Sequence, residues 1–448
     1  MNFRETDVQT YIWEHRDELF SMIEKPVFET DPDKMPWEYE PWELLYYHAL
    51  EEYKEHYECL EGLNIFGCEV IMPKEGDNPI RADFLGCLEG ENGTVVCELK
   101  VNRHPERQAY TELFAYANYV RSKFAPMGRR DVFYLLISPM EERIVREATI
   151  NSLLYDRNRV VAIIPEMGDT LESLRFKLWI PSKNDFKVIT RTAFAFDNID
   201  VFRISWSGAT GIWSPIEEGK EPNSEMIHRL NKVSHYAAQL METSGINGFV
   251  YCLQSYPKVR DNGFLENGIT LCGINPYKAA KTKCLLEEGC SIEEAIKADI
   301  EYIGLEHVFP AMMKNCEEAN REFNYWSWMA ESWSSCLTRI GLDVVKRCNQ
   351  TFGPSHYEHG YGDFTWESYL NESSEDKLCW NYDISLTGIF REIYDLKLKK
   401  HYDAAGLYSK EEKGEIIESG MLEWHAIDMM YDHNHIRDFI RGLIGDVP

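Results

Sequence analysis

Hydrophobic and polar residues alternate with two different periods along the first half of the chain. Residues 42–60 place Tyr46, Leu50 and Tyr53 on one stripe at about 100° per residue, which predicts an amphipathic helix. Residues 80–88 and 94–101 are short apolar-rich runs separated by a turn rich in Gly and Asn, which predicts a β-hairpin. Further strands are predicted at 67–73, 131–138 and 159–165, and further helices at 103–124 and 141–154. This alternation is typical of an α/β sandwich.

The remaining segments define the expected domain organisation. Three later stretches alternate between apolar and polar residues, at 175–180, 186–196 and 201–206. We expect each of them to add a strand to the same domain. Gly, Pro and charge then accumulate, and the later pattern is mostly helical, with a strand near 249–253. The expected parts are an N-terminal helical appendage at 1–40, an α/β domain at 41–206, a linker at 207–223 and a mostly helical domain at 224–448.

The predicted hairpin carries ionisable residues beside its apolar positions. Glu98 and Lys100 share a face of the second strand with Val96, and pairing across the turn brings Asp83 of the first strand near Glu98. Unpaired charges beside a sheet core cost several kcal/mol, so these residues are either salt-bridged or kept for chemistry. Two neighbouring carboxylates repel each other, and an oxygen-binding cation such as Mg²⁺ or Mn²⁺ relieves that repulsion. Lys100 is then placed to hold or deprotonate a metal-bound water, or to stabilise charge on a phosphate.

This arrangement resembles the PD-(D/E)XK nuclease superfamily over roughly residues 40–165. Asp83 matches the first motif, and Glu98-Leu99-Lys100 matches the second, while Ala82 stands where the family has its proline. The resemblance implies a restriction-endonuclease-like αβα sandwich with a mixed sheet. It also implies Mg²⁺ or Mn²⁺ bound by Asp83, Glu98 and the carbonyl of Leu99, with Lys100 acting on the attacking water.

Two further site residues follow from the same resemblance. Related nucleases often take a third metal-binding acid from the helix predicted at 42–60, where Glu52 lies closest to the edge of the apolar stripe. They also often carry a polar residue on the helix after the hairpin, and Gln108 resembles that catalytic residue, on one face with Glu112 and Tyr116. In both cases the alternative is a side chain that simply faces solvent.

Charge is the main objection to a nucleic-acid substrate, because the net charge is −28 and phosphate contacts usually need a basic surface. Residues 101–190 are nevertheless net positive. The basic residues that form a candidate phosphate track, or alternatively a solvated helix surface, are Arg103, Arg107, Arg121, Lys123, Arg129 and Arg130.

Other signals narrow the class of protein. The 12 cysteines form no Cys-x-x-Cys pair, which argues against a zinc ribbon or a disulfide framework. We expect a cytoplasmic protein with no membrane partner, since no apolar run reaches the length of a membrane span and the N-terminus lacks a signal-peptide pattern. The acidic C-terminal half favours contact with a regulatory protein or with another copy of the chain over direct binding of duplex DNA.

The sequence therefore predicts a metal-dependent DNA endonuclease. Its catalytic core is joined to a large domain of unrecognised type, which favours a role in defence against foreign DNA. The alternatives are a catalytically silent nuclease-fold scaffold or interaction protein, and a hydrolase directed at RNA or nucleotides.

Overall fold

In a computed structural model of the chain, the described residues form two compact units, one of residues 1–33 and 45–188 and one of residues 34–44 and 189–448. The described residues are 3–207, except 33, 37, 91, 92, 104 and 186–188, together with 224–254, 267–309, 324–352, 356–363, 383–411 and 433–444. The predicted linker thus lies almost wholly outside the described residues, as do parts of the predicted C-terminal helices.

The first unit contains a six-stranded mixed sheet in the order β1-β2-β3-β4-β5-β6. Strands β3, β4 and β5 run parallel, and the other neighbouring pairs are antiparallel. The strands are β1 (Leu63–Met72), β2 (Ile80–Leu88), β3 (Thr94–Leu99), β4 (Val132–Ile137), β5 (Arg159–Glu166) and β6 (Arg175–Leu178). Every residue of β4 is buried, as the continuous apolar run predicts for a central strand.

Helices pack on this sheet and complete an α/β fold, consistent with an αβα arrangement. They are α1 (Glu5–Glu14), α2 (Pro41–Cys59), α3 (Ala109–Lys123) and α4 (Arg143–Leu154). Helix α3 lies against β2 and β3, and α4 lies against β5. The prediction that residues 1–40 form an appendage is wrong for α1, because Val8 and Ile12 are fully buried in the same core as the sheet.

The second unit contains a five-stranded antiparallel sheet in the order β10-β7-β9-β8-β11. Its strands are β7 (Ile199–Ser207), β8 (Gly248–Gln254), β9 (Asn267–Ile274), β10 (His356–Asp363) and β11 (Ile384–Thr387). Its helices are α5 (Ser224–Thr243), α6 (Pro276–Glu287), α7 (Ile292–Lys297), α8 (Tyr325–Phe352), α9 (Ile389–Glu411) and α10 (His433–Ile444).

Two expectations about this region need correction. The strand predicted at 201–206 forms, but it pairs with β9 and β10 and so does not extend the first sheet. The described part of residues 224–448 contains the helices α5 to α10, but the prediction of one strand near 249–253 missed β9, β10 and β11. A buried strand such as β9 shows no alternation that distinguishes it from a helix. None of the helices in the described ranges combines the length and apolar character that crossing a bilayer requires.

Candidate active site

Two neighbouring strands bring together the carboxylates that the sequence motif predicts. Phe84 of β2 pairs with Cys97 of β3 in antiparallel register, and one step further along this register Asp83 stands opposite Glu98. Residues directly opposed on antiparallel strands project from the same face of the sheet. Asp83 Oδ2 also accepts a hydrogen bond of 2.8 Å from the Leu99 N–H, which holds the Asp83 carboxylate against β3.

Lys100 lies immediately after β3 and completes the predicted group. Its backbone N–H donates to Ile137 O at 2.7 Å, so the end of β4 fixes its position. Its ammonium pairs with Glu98 Oε1 and lies 3.0 Å from Glu112 Oε2. Glu98 is 1% exposed and Lys100 is 7% exposed, so this pairing takes place almost out of contact with solvent.

Helix α3 contributes a third carboxylate, that of Glu112. Gln108, the residue predicted for a catalytic role, is exposed just before α3 begins. Glu112 lies one turn later on the same face, and it is this residue that reaches Lys100. The sequence signal was the four-residue spacing of Gln108, Glu112 and Tyr116, which identifies the face but not the turn that meets the strand ends.

The charges of the cluster are unbalanced, because one ammonium faces the three carboxylates of Asp83, Glu98 and Glu112. Burial, the hydrogen bond with Glu112 and the charge of Asp83 raise the pKa of Glu98 to about 9. Burial also raises the pKa of Asp83 to about 6, although the Leu99 N–H and the Lys100 charge oppose the rise.

Glu112 and Lys100, in contrast, both keep their charged forms. Burial alone would raise the pKa of Glu112, but hydrogen bonds with Glu98 and Lys100 hold it below its usual value. Burial likewise disfavours the Lys100 ammonium, but the Glu98 and Glu112 carboxyl groups outweigh it and raise the pKa of Lys100. One ammonium cannot neutralise two carboxylates, so the less buried Glu112 carries the charge and the deeply buried Glu98 keeps a proton.

Glu52, the predicted third metal ligand, does not join this cluster. Its carboxylate pairs with Arg130 at 2.7 Å and with Arg157 at 3.6 Å. Arg130 lies two residues before β4, whereas Glu98 lies beside Leu136 near the other end of that parallel strand. Glu52 is therefore at the opposite end of the sheet, because a helical wheel shows which side of a helix faces the sheet but not which end of the strands it reaches.

Most of the candidate phosphate track is engaged within the fold. Arg103 and Arg107 both pair with Glu142, at 2.5 and 2.8 Å, and Lys123 lies over the Tyr119 ring. Arg130 pairs with Glu52, as described above. Arg121 and Arg129 line a separate shallow cavity of about 430 Å³ beside α3.

The cluster has the donor chemistry of a site for a hard cation. The buried Glu98 carboxyl group contacts Lys100, Glu112 and Tyr116. Its Oε2 has no donor in good hydrogen-bond geometry among the described residues, which leaves that oxygen available to a cation. Among the described residues, no three His, Cys, Asp or Glu side chains are arranged so that they could hold a metal ion together. Asp83 and Glu98 instead suit a cation such as Mg²⁺ or Mn²⁺, which commonly binds to one or two carboxylates together with water and substrate oxygens. The resemblance implies that the Leu99 carbonyl is a metal ligand. In the structure the Leu99 N–H, not its carbonyl, makes the hydrogen bond to Asp83.

Comparison of this chain with protein-family models, with curated proteins and with solved structures finds no match.

Proposed function

We propose that this chain is a metal-dependent nuclease that hydrolyses phosphodiester bonds in DNA, with a restriction-endonuclease-like core in the first unit. The observation that supports this best is the meeting of Asp83, Glu98 and Lys100 at one end of a hairpin, where carboxyl groups are in surplus over the single ammonium. A divalent cation removes that surplus. The resemblance of the motif and the α/β fold around it agree with this proposal. Asp83 and Glu98 lie on strands and Lys100 follows β3 immediately, so the groups are held by the sheet.

Each residue has a distinct task in the proposed reaction. When bound, the cation supplies positive charge for the phosphate and lowers the pKa of a coordinated water. Asp83 and Glu98 hold the cation through carboxylate oxygens on one face of the sheet. Lys100 keeps its proton, since pairing raises its pKa. It therefore orients the water and stabilises phosphoryl oxygens as a hydrogen-bond donor, and does not act as a base. Glu112 holds the Lys100 ammonium in place.

The same proposal extends to partners and setting. DNA approaches the half-buried edge of the site formed by Asp83 and Glu112. The second unit serves recognition, regulation or self-association, which its acidity favours over direct contact with duplex DNA. A cytoplasmic role in defence against foreign DNA fits a catalytic core joined to such a unit.

Cleavage assays test the proposal directly. Purified protein is incubated at low salt with plasmid, linear duplex, single-stranded DNA and RNA, with Mg²⁺, Mn²⁺ or EDTA. We expect cleavage of DNA with either metal and none with EDTA. Asp83→Asn and Glu98→Gln remove proposed metal ligands, so each reduces the rate by more than the roughly 10- to 100-fold that loss of a group behind a ligand costs. Cleavage of RNA alone would identify the substrate as RNA.

Glu52→Gln is the matched control, because it removes a carboxylate of the same unit at the other end of the sheet. It leaves cleavage unchanged. Survival of all four substrates with both metals, while circular dichroism shows an intact fold, would refute the nuclease proposal.

The second candidate is a silent scaffold, and one observation favours it. Glu98 and Lys100 are almost fully buried and already paired with each other, as in a structural ion pair. A scaffold predicts that Lys100→Met destabilises the fold while Mn²⁺ leaves the melting temperature of the wild type unchanged. A nuclease predicts that Mn²⁺ raises that temperature, since a ligand that binds only the folded state stabilises it.

A further inference from the structure

Helix α1 places one polar side chain, Gln9, inside the candidate active site. Gln9 Nε2 donates a hydrogen bond of 3.1 Å to Asp83 Oδ1 and one of 2.8 Å to Glu69 Oε1. Carboxylates only accept hydrogen bonds, so the NH₂ end of the amide must face them. The amide therefore links two carboxylates from two strands, Glu69 on β1 and Asp83 on β2.

The Gln9 side chain is held firmly in this position. It is 7% exposed, and its neighbours Val8 and Ile12 are fully buried in the core of the first unit. Helix α1 therefore cannot withdraw Gln9 without exposing apolar surface. The sequence signal was a polar residue set beside the apolar stripe of an amphipathic helix.

The second acceptor, Glu69, lies in an unusual backbone conformation. Its φ is +53°, in the left-handed region that a residue other than glycine rarely adopts, and β1 has an irregular register with β2 nearby, between Ile65 and Gly67. Arg81 also donates to Glu69, at 2.8 Å, so the carboxylate is fixed from two directions. A strained residue held by two donors provides a rigid support for the Gln9 amide.

Asp83 is thereby held at both oxygens. The Leu99 N–H bonds Oδ2 and the Gln9 amide bonds Oδ1, so the carboxylate cannot rotate without losing one of them. The geometry points to Gln9 as a positioning residue, which orients Asp83 for cation binding and is itself supported by Glu69. This inference rests on the proposed function for its consequence, but the positioning itself is measurable in metal-free protein.

The test replaces the amide while keeping its volume. Gln9→Met removes both hydrogen bonds from the site, and Gln9→Glu adds a third carboxylate that repels Asp83 and Glu69. Thr10→Ala is the matched control, because Thr10 is exposed on the same helix and its hydroxyl donates within that helix, to Thr6 O. The Leu99 amide proton, followed by NMR in metal-free protein, reports the orientation of Asp83. Calorimetric titration with Mn²⁺ reports its consequence.

We expect both Gln9 variants to shift the Leu99 amide resonance and to accelerate its hydrogen exchange. The Mn²⁺ affinity of Gln9→Met falls by roughly 10- to 100-fold, the usual cost of losing a group behind a metal ligand, and Thr10→Ala matches the wild type. An unchanged Leu99 resonance in both variants would overturn the inference, whatever the wild type cleaves. Absence of Mn²⁺ binding and cleavage by the wild type would instead overturn the proposed function, while the Leu99 resonance would still decide whether Gln9 positions Asp83.

Discussion

Competition between protons and the cation gives the sharpest prediction for the cluster. Glu98 has a pKa raised to about 9, so at pH 7 nearly every metal-free molecule carries a proton on this residue. A cation that binds Glu98 must displace that proton. Each pKa unit is a factor of ten in proton affinity, so the displacement costs about 3 kcal/mol at pH 7 and lowers the apparent affinity about 100-fold.

The pH profile of Mn²⁺ affinity follows from these values. Between about pH 6 and 9 the dissociation constant falls tenfold for each unit of rising pH, because one proton is released for each ion bound. Below about pH 6, Asp83 also holds a proton, so the change becomes about 100-fold per unit. Above pH 9 the affinity no longer changes with pH.

Isothermal titration calorimetry in two buffers of different ionisation enthalpy measures both quantities. At pH 7.5 we expect release of about one proton per Mn²⁺ ion. Glu98→Gln binds Mn²⁺ weakly and releases no proton between pH 6 and 9, whereas Glu52→Gln behaves like the wild type. A wild-type affinity that is constant from pH 6 to 9, with no proton released, would show that the cation does not bind Glu98.

Three stability predictions are independent of cleavage. Tyr53→Phe lowers the free energy of unfolding by about 2–4 kcal/mol in urea denaturation, because the fully buried Tyr53 hydroxyl accepts from the Ala162 N–H at 3.1 Å and donates to Trp179 O at 2.7 Å. Burial and the nearby arginines lower the pKa of His56 to about 4, so unfolded chains take up a proton below about pH 6.5 that folded chains refuse until about pH 4. Stability therefore falls across that window, by up to about 3 kcal/mol, and His56→Leu removes this fall; equal slopes for both proteins would refute it. Glu98→Gln raises the stability of metal-free protein at pH 7 by up to about 3 kcal/mol, since folding then no longer requires uptake of a proton, and thermal melts at pH 5 and 8 show the difference growing with pH.

Local pattern was enough to predict the hairpin and which of its ionisable residues come together. The turn between β2 and β3 and the two-residue period of β3 fix both the register and the face, so Asp83, Glu98 and Lys100 meet as the sequence predicts. The continuous apolar run of β4 likewise predicted a buried central strand.

Long-range geometry was beyond the same reasoning. The choice of Glu52 failed because periodicity gives the face of a helix and not the strand end it meets. For the same reason the spacing of Gln108 and Glu112 did not show which of the two contacts Lys100, and that residue is Glu112. Strand β7 was assigned to the wrong sheet because hydrogen-bond partners are not encoded in one strand's own pattern, and α1 joined the core through Val8 and Ile12, whose partners lie far away in sequence.

The energetics of Glu98 separate the two candidate functions. A structural ion pair exists to stabilise, or at least not to harm, the folded chain. Here Glu98 is buried beside two further carboxylates, and its raised pKa means that the fold at neutral pH is less stable than it would be with a neutral amide in its place. A scaffold would gain by losing this carboxyl group, whereas a site for a cation needs it. The carboxyl group lowers the stability of the metal-free protein, and binding of a cation offsets this loss. A rise in stability of metal-free Glu98→Gln therefore favours a catalytic cluster, and a fall favours a structural ion pair.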